Sequence, residues 1–151
     1  MKVNMAISVK AVKLVLFNRL IFILSLLGVV VAGYVLQGWL RQSPLVCLTG
    51  SGCETVAKSP YNYPFGIPVP AVGFLGYSIL TVLAFSRTTS ADKRLLYGIL
   101  GMATFGVLFV SWFTYLELFV IRGVCSWCAI SAVNMLIIFV LTIKSYLLLP
   151  K

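Results

Sequence analysis

Four stretches of this chain are apolar for long enough to cross a bilayer, and basic residues or prolines punctuate them. Leu20 to Leu40 lies between Arg19 and Arg41. At about 1.5 Å per helical residue it covers a hydrocarbon core of about 30 Å. Pro68 and Pro70 introduce a second stretch, Val69 to Phe85, and proline is tolerated in a first helical turn. Leu95 to Leu116 follows a short turn holding Arg87, Lys93 and Arg94, and Cys128 to Leu149 completes the set. The pattern predicts an all-α protein, an integral membrane bundle of four transmembrane helices forming one domain over residues 1–151. Residues 1–18, with Lys2, Lys10 and Lys13, read as a weakly amphipathic segment on the cytosolic membrane surface. A cleavable signal peptide ending at Ala32 is disfavoured, because apolar residues continue to Trp39 and Leu40.

Between the first two spans lies a loop, residues 41–67, too long to be a mere connector. Its glycines, Gly50 and Gly52, suggest a flexible turn. Tyr61, Tyr63 and Phe65 suit an interfacial belt, so the loop is expected to lie against the membrane.

Composition strengthens the membrane reading. Of 151 residues, 61% are hydrophobic and only 10% charged, against about 25% charged in soluble domains. Mean hydropathy is +1.07. A net charge of +9 would suggest nucleic acid in a soluble protein. Here the basic residues collect at span ends and mark topology, which removes that reading. Nine Lys and Arg fall on the side of the termini and three, Arg41, Lys58 and Arg122, on the other. Both termini are therefore expected in the cytosol, with the long loop and the 117–125 connection outside. Histidine is absent, which excludes imidazole chemistry and histidine metal ligands.

All four cysteines fall on that outer face: Cys47 and Cys53 in the long loop, Cys125 and Cys128 at the start of the last span. Outside the cytosol, disulfides are the default. Three pairings are possible. Two structural bridges, a zinc site of four thiolates and a redox relay all fit the bare count. The Cys-x-x-Cys at a helix start favours the relay, since unpaired N–H groups and the helix dipole there stabilise a thiolate. Cys128 would sit about 4.5 Å deeper than Cys125, towards the apolar interior where a lipid-soluble quinone would lie.

The residues resemble the vitamin K epoxide reductase family, specifically prokaryotic homologues without a fused thioredoxin-like domain. The pattern runs Cys47, Cys53, Val56, Ser59, Tyr61, Gly66, Pro68, Gly73, Tyr77, then Leu116-Glu117, Cys125-x-x-Cys128 and Ser131. The resemblance implies a membrane thiol oxidoreductase that drives disulfide formation. Cys47 would take electrons from a separate extracytoplasmic thioredoxin-fold (DsbA-like) protein, and Cys53 would resolve that bond and attack Cys125. Cys128 would meet the cofactor, a quinone (ubiquinone, menaquinone or a related naphthoquinone), in a prokaryotic plasma membrane. Ser59 would help to position the reactive end, and Ser131, Tyr77 and Phe65 would border the quinone. No metal is implied.

The sequence departs from animal members of the family in two places. Ala132 stands where they carry a tyrosine, and Val69 to Phe85 holds no asparagine. A respiratory quinone is thus favoured over vitamin K epoxide. The alternatives are a non-catalytic membrane protein with structural disulfides and a quinone or epoxide reductase acting for its own sake. Glu117 reads first as an interfacial carboxylate near Arg122, and second as a proton relay to the quinone. Trp39 and Trp127 read as interface anchors, Trp127 also as a shield for the thiols. Asn134 reads as an interhelical hydrogen-bonding group.

Overall fold

A computed structural model describes the backbone of residues 2–48, 50–90 and 92–149, and the side chains of these residues except 2–6 and 65. Among the described residues there are helices and turns but no strand. Helix α1 spans Lys2–Leu40, α2 Gly52–Lys58, α3 Val69–Thr89, α4 Lys93–Tyr115 and α5 Ser126–Leu147. Four of them, α1, α3, α4 and α5, are long and apolar enough to cross a membrane. They pack as a ring in which α1 touches α3 and α5, and α4 touches the same two. The outer surface of the ring stays apolar, with Leu26, Val30, Leu75, Val82, Leu108 and Val133 exposed. A face of that kind marks a surface that meets lipid or protein and not water, and here it runs along four helices long enough to span a membrane.

The sequence expected a surface segment over residues 1–18 and then a span. Instead α1 is one continuous helix. The reason is visible in the sequence, which has no glycine or proline before Gly28 to interrupt the ladder. Its inner face is fixed at the end near the termini by Asn18, whose Nδ2 donates to the Ala84 carbonyl of α3 at 3.1 Å and to Thr88 Oγ1 at 3.0 Å. Nearby, Arg87 donates to Ser145 Oγ of α5 at 3.1 Å. Deeper in the bundle, Asn134 Nδ2 donates to the Leu24 carbonyl at 3.0 Å. That is the interhelical bond expected of Asn134. Such bonds hold register where lipid provides no hydrophobic drive between helices.

Tyr77 crosses the interior. It is 2% exposed, and its hydroxyl donates to the Ser131 carbonyl at 2.9 Å while lying 3.0 Å from Ser131 Oγ. It thereby links α3 to α5 across the ring. Gly28 on α1 leaves the space for its ring, because a Cβ there would come within 2.3 Å of Tyr77 Cδ1. Leu80, Ile99, Ala103, Met135 and Ile138 close the core beneath.

The other end of the ring differs from the loop read in the sequence. Residues 52–58 form α2, and two 3₁₀ turns, Pro60–Asn62 and Pro64–Gly66, follow it. The Glu54–Lys58 ion pair at i, i+4 supports that short helix at 2.6 Å. On α1, the Trp39 indole N–H donates to the Tyr63 hydroxyl, so the loop is fastened to the bundle rim.

Gly28→Ala should force Tyr77 from its slot, an overpacking cost of about 1–3 kcal/mol. Gly101→Ala, at an exposed helical position with no neighbour within 4 Å, should be neutral or slightly stabilising. Thermal unfolding in detergent, with the two variants side by side, checks the difference.

Candidate functional site: two cysteine pairs at one end of the bundle

The last helix begins at the thiols. Cys125 is the N-cap of α5, with extended backbone (φ −87°, ψ 120°), and its carbonyl accepts the first helical hydrogen bond, from Ala129 at 3.0 Å. Its side chain makes no capping hydrogen bond, but its sulfur stands at the helix start, where the N–H groups of Trp127 and Cys128, the second and third residues, act on it. This is the position at which a side-chain acceptor satisfies otherwise orphaned donors. Hydrogen bonding from the Cys128 thiol is the largest influence on Cys125. Together with those N–H groups it outweighs burial and pulls the Cys125 thiol down to about 7.

The loop pair is a disulfide, Cys47–Cys53, while Cys125 and Cys128 are free. Cys53 is 1% exposed and Cys125 3%, and both belong to one buried cluster with Val56, Val69, Phe113 and Leu116. Cys47 is half-buried at the edge of that cluster. Its sulfur lies 3.6 Å from Ser126 Oγ. The expected flexible turn is thus only part of the picture. Gly50 has the left-handed backbone (φ 84°) that a turn requires. Gly52 does something else. A Cβ there would lie 2.2 Å from the Val124 carbonyl oxygen, so only glycine lets α2 press its first turn against the residue before Cys125.

Trp127 holds the same contact from the other side. Its indole N–H donates to the Val46 carbonyl at 2.9 Å, and its ring packs on Tyr34 at 5.1 Å. The residue read as an anchor and shield therefore also ties the chain beside Cys47 to α5.

Below the thiols lies a cavity of about 120 Å³. Its walls include Cys53, Cys125, Cys128, Phe113, Tyr77 and Ser131. An apolar cavity of similar volume, about 150 Å³, accepts a benzene ring. Of the residues read as bordering a quinone, Cys128, Ser131 and Tyr77 meet at this cavity, while the side chain of Phe65 lies outside the described residues. Ser59 is not in the wall. It is buried beneath the loop, where its Oγ accepts the Tyr61 N–H at 3.3 Å and caps the first 3₁₀ turn.

One residue of the site, Asn62, escaped the sequence reading, and another, Glu117, was given the wrong first neighbour. Asn62 is buried and reaches the cavity wall, with Nδ2 donating to the Ala57 carbonyl at 3.4 Å. Glu117 was placed first with Arg122, yet Arg122 is exposed and makes no ion pair with it. Glu117 is instead 3% exposed, in a π-helical turn, Leu116–Ile121, that continues α4. A carboxyl oxygen of Glu117 and the sulfurs of Cys125 and Cys128 all lie within 4.8 Å of one another. Its Oε1 is buried without a hydrogen-bond partner, a condition that costs about 1–3 kcal/mol. The signal was present: Ile99, Ala103, Gly106, Phe113 and Glu117 fall on one helical stripe. One carboxylate and two thiols also form a donor set that zinc uses elsewhere. The four-thiolate site is not formed while Cys47 and Cys53 are bonded to each other.

The thiolate is the reactive form, so alkylation of Cys125 by iodoacetamide should slow as pH falls through about 7 and level off above it. In Cys128→Ala the half-point should move up towards the ordinary thiol range. Peptide mass spectrometry after timed alkylation reads both.

The sequence model described as "Vitamin K epoxide reductase family" matches residues 19–143. That range takes in all four cysteines, the cavity and most of each spanning helix. Its members are oxidoreductases that work through cysteines and a quinone. With four membrane-crossing helices and paired cysteines at one end, this chain belongs to the vitamin K epoxide reductase family and is an integral membrane thiol oxidoreductase.

Proposed function

We propose that the protein relays electrons from an external dithiol protein through Cys47 and Cys53 to Cys125 and Cys128, and from there to a membrane quinone. The net result is disulfide formation on the extracytoplasmic side. The observation that carries this reading is the shared burial of Cys53 and Cys125 in one cluster, both in the wall of the cavity that Cys128 also lines.

Each step is an exchange in which a thiolate attacks a disulfide sulfur and releases another thiolate. Cys47, the less buried of the loop pair, is attacked by a thiolate of the thioredoxin-fold partner and forms the mixed disulfide, which releases Cys53 as a thiolate; the partner's second thiol then displaces Cys47 and closes the partner's own disulfide. The freed Cys53 thiolate attacks Cys125 of the Cys125–Cys128 disulfide and frees Cys128, and Cys47 then attacks Cys53, re-forming the loop bond and releasing Cys125. The arrangement described above, with 47–53 closed and 125/128 reduced, corresponds to electrons having reached the inner pair. Cys125 is suited to both roles, as a good leaving group and a ready nucleophile, because the neighbouring Cys128 thiol, helped by the helix N-terminus, favours the thiolate near neutral pH.

The cavity has room for a single ring and mostly apolar walls, which suits the reacting ring of a quinone. A bound quinone supplies an acceptor for two electrons and two protons. Cys128 would face it, with Ser131, Tyr77 and Phe65 bordering it. Tyr77 and Ser131 bond to each other and would fix the floor on which it rests. Ser59 positions the loop by capping its turn and so acts on Cys53 from a distance. The charge distribution of the chain supports placing the cysteine end outside a plasma membrane and both termini in the cytosol.

A trapped intermediate tests the relay. In full-length Cys47→Ser or Cys128→Ala protein, non-reducing mass mapping should find a Cys53–Cys125 disulfide, and quinone reduction should fall to background. If these two cysteines never cross-link in either variant, at any redox state, the bridges are structural and the relay is wrong.

A further inference from the structure

Glu117 is the buried ionisable group that the relay leaves unused, and its surroundings are chemical. The cluster it forms with Cys125 and Cys128 spans no more than 4.8 Å between ligand atoms. One of its oxygens, Oε1, is buried with no partner. The π-helical turn that carries it, closed by Arg122 in the left-handed region (φ 54°), leads directly into the thiol loop. Such turns recur at functional sites. Glu117 does not line the cavity, whereas Cys128 does. Cys128 therefore borders the acceptor's space and stands within 4.8 Å of the carboxyl at once.

We infer that Glu117 is the proton acceptor for Cys128, taking its thiol proton while the sulfur's electrons leave through the cavity. This deepens the relay and rests on it for its acceptor. Closing the Cys125–Cys128 bond breaks two S–H bonds and makes one S–S bond. Two electrons and two protons go to the quinone-class acceptor. Glu117 receives the Cys128 proton as that S–H bond breaks, then passes it on, and ends the cycle unchanged. The assignment revises the second sequence reading, in which the carboxylate faces the quinone itself. The unpartnered oxygen gains a purpose: it is an open site for the proton.

The chain has only three acidic residues, and the other two, Glu54 and Asp92, are exposed. Infrared difference spectra of full-length protein can therefore isolate Glu117. Reduced protein is oxidised with diamide, with no quinone present. A carboxyl band should change as Cys125 and Cys128 close, and Glu117→Gln should abolish it. In single turnovers with pre-reduced protein and a short-chain quinone, Glu117→Gln should be slower by about 10²-fold at pH 7. Its rate should climb about tenfold per pH unit as hydroxide replaces the missing base, and Glu117→Asp should recover part of the loss. Formation of the Cys53–Cys125 disulfide in Cys128→Ala should be unaffected by Glu117→Gln. A silent carboxyl region, a wild-type rate and pH profile in Glu117→Gln, or equal loss of Cys53–Cys125 exchange each overturns the assignment. Wild-type protein that reduces no quinone overturns the relay as well.

Discussion

A backbone contact with no room for a side chain governs the geometry of this protein. The first turn of α2 rests on the Val124 carbonyl at Gly52, where even a methyl group would collide. Through that contact, Cys53 arrives next to a thiol at the N-cap of another helix. Trp127, bonded to Val46, keeps the opposite edge of the loop in place. The two cysteine pairs are distant in sequence and adjacent in space because of these two attachments. Loosening either would separate them without touching a sulfur atom.

The membrane imposes the remaining arrangement. Lipid gives helices no hydrophobic reason to associate, so the ring is held by small residues and buried hydrogen bonds. Gly28 under Tyr77, Asn18 on Ala84 and Asn134 on Leu24 are instances. The polar bolts lie at mid-bundle and near the termini. The cysteine end is hollow, with a cavity walled mainly by apolar residues. An apolar cavity beside a helix N-terminus strengthens local electrostatic interactions, which is the setting in which Cys125 can serve as thiolate near neutral pH.

Much of this was legible in the sequence, because its signals are local. Span length, flanking charge and the Cys-x-x-Cys at a helix start each depend on a short window. The extent of α1 was legible too, since nothing in residues 2–27 breaks a helix, but three lysines drew attention to the surface. The features that were missed are the ones created by packing. Gly52 looked like turn chemistry, as Gly50 is, although its neighbour is residue 124. Glu54 and Lys58 advertised the short helix, yet the glycines before them read as looseness. Glu117 lay on the inner stripe of α4, but Arg122 offered a plausible surface partner. Only the folded chain brings the carboxyl to the thiols. Ser59, read as helping to position the reactive end, caps the first 3₁₀ turn of the loop, a contact that the sequence does not show.

The decisive question is whether electrons must pass through Cys53 to reach Cys125. Cys125 is almost wholly enclosed, so a folded protein donor should have no direct access to it. The most direct measurement is the rate at which reduced thioredoxin opens a preformed Cys125–Cys128 disulfide, in intact protein and in Cys53→Ala. The expected result is prompt opening in the intact protein and almost none in the variant. Equal rates in the two would contradict the relay.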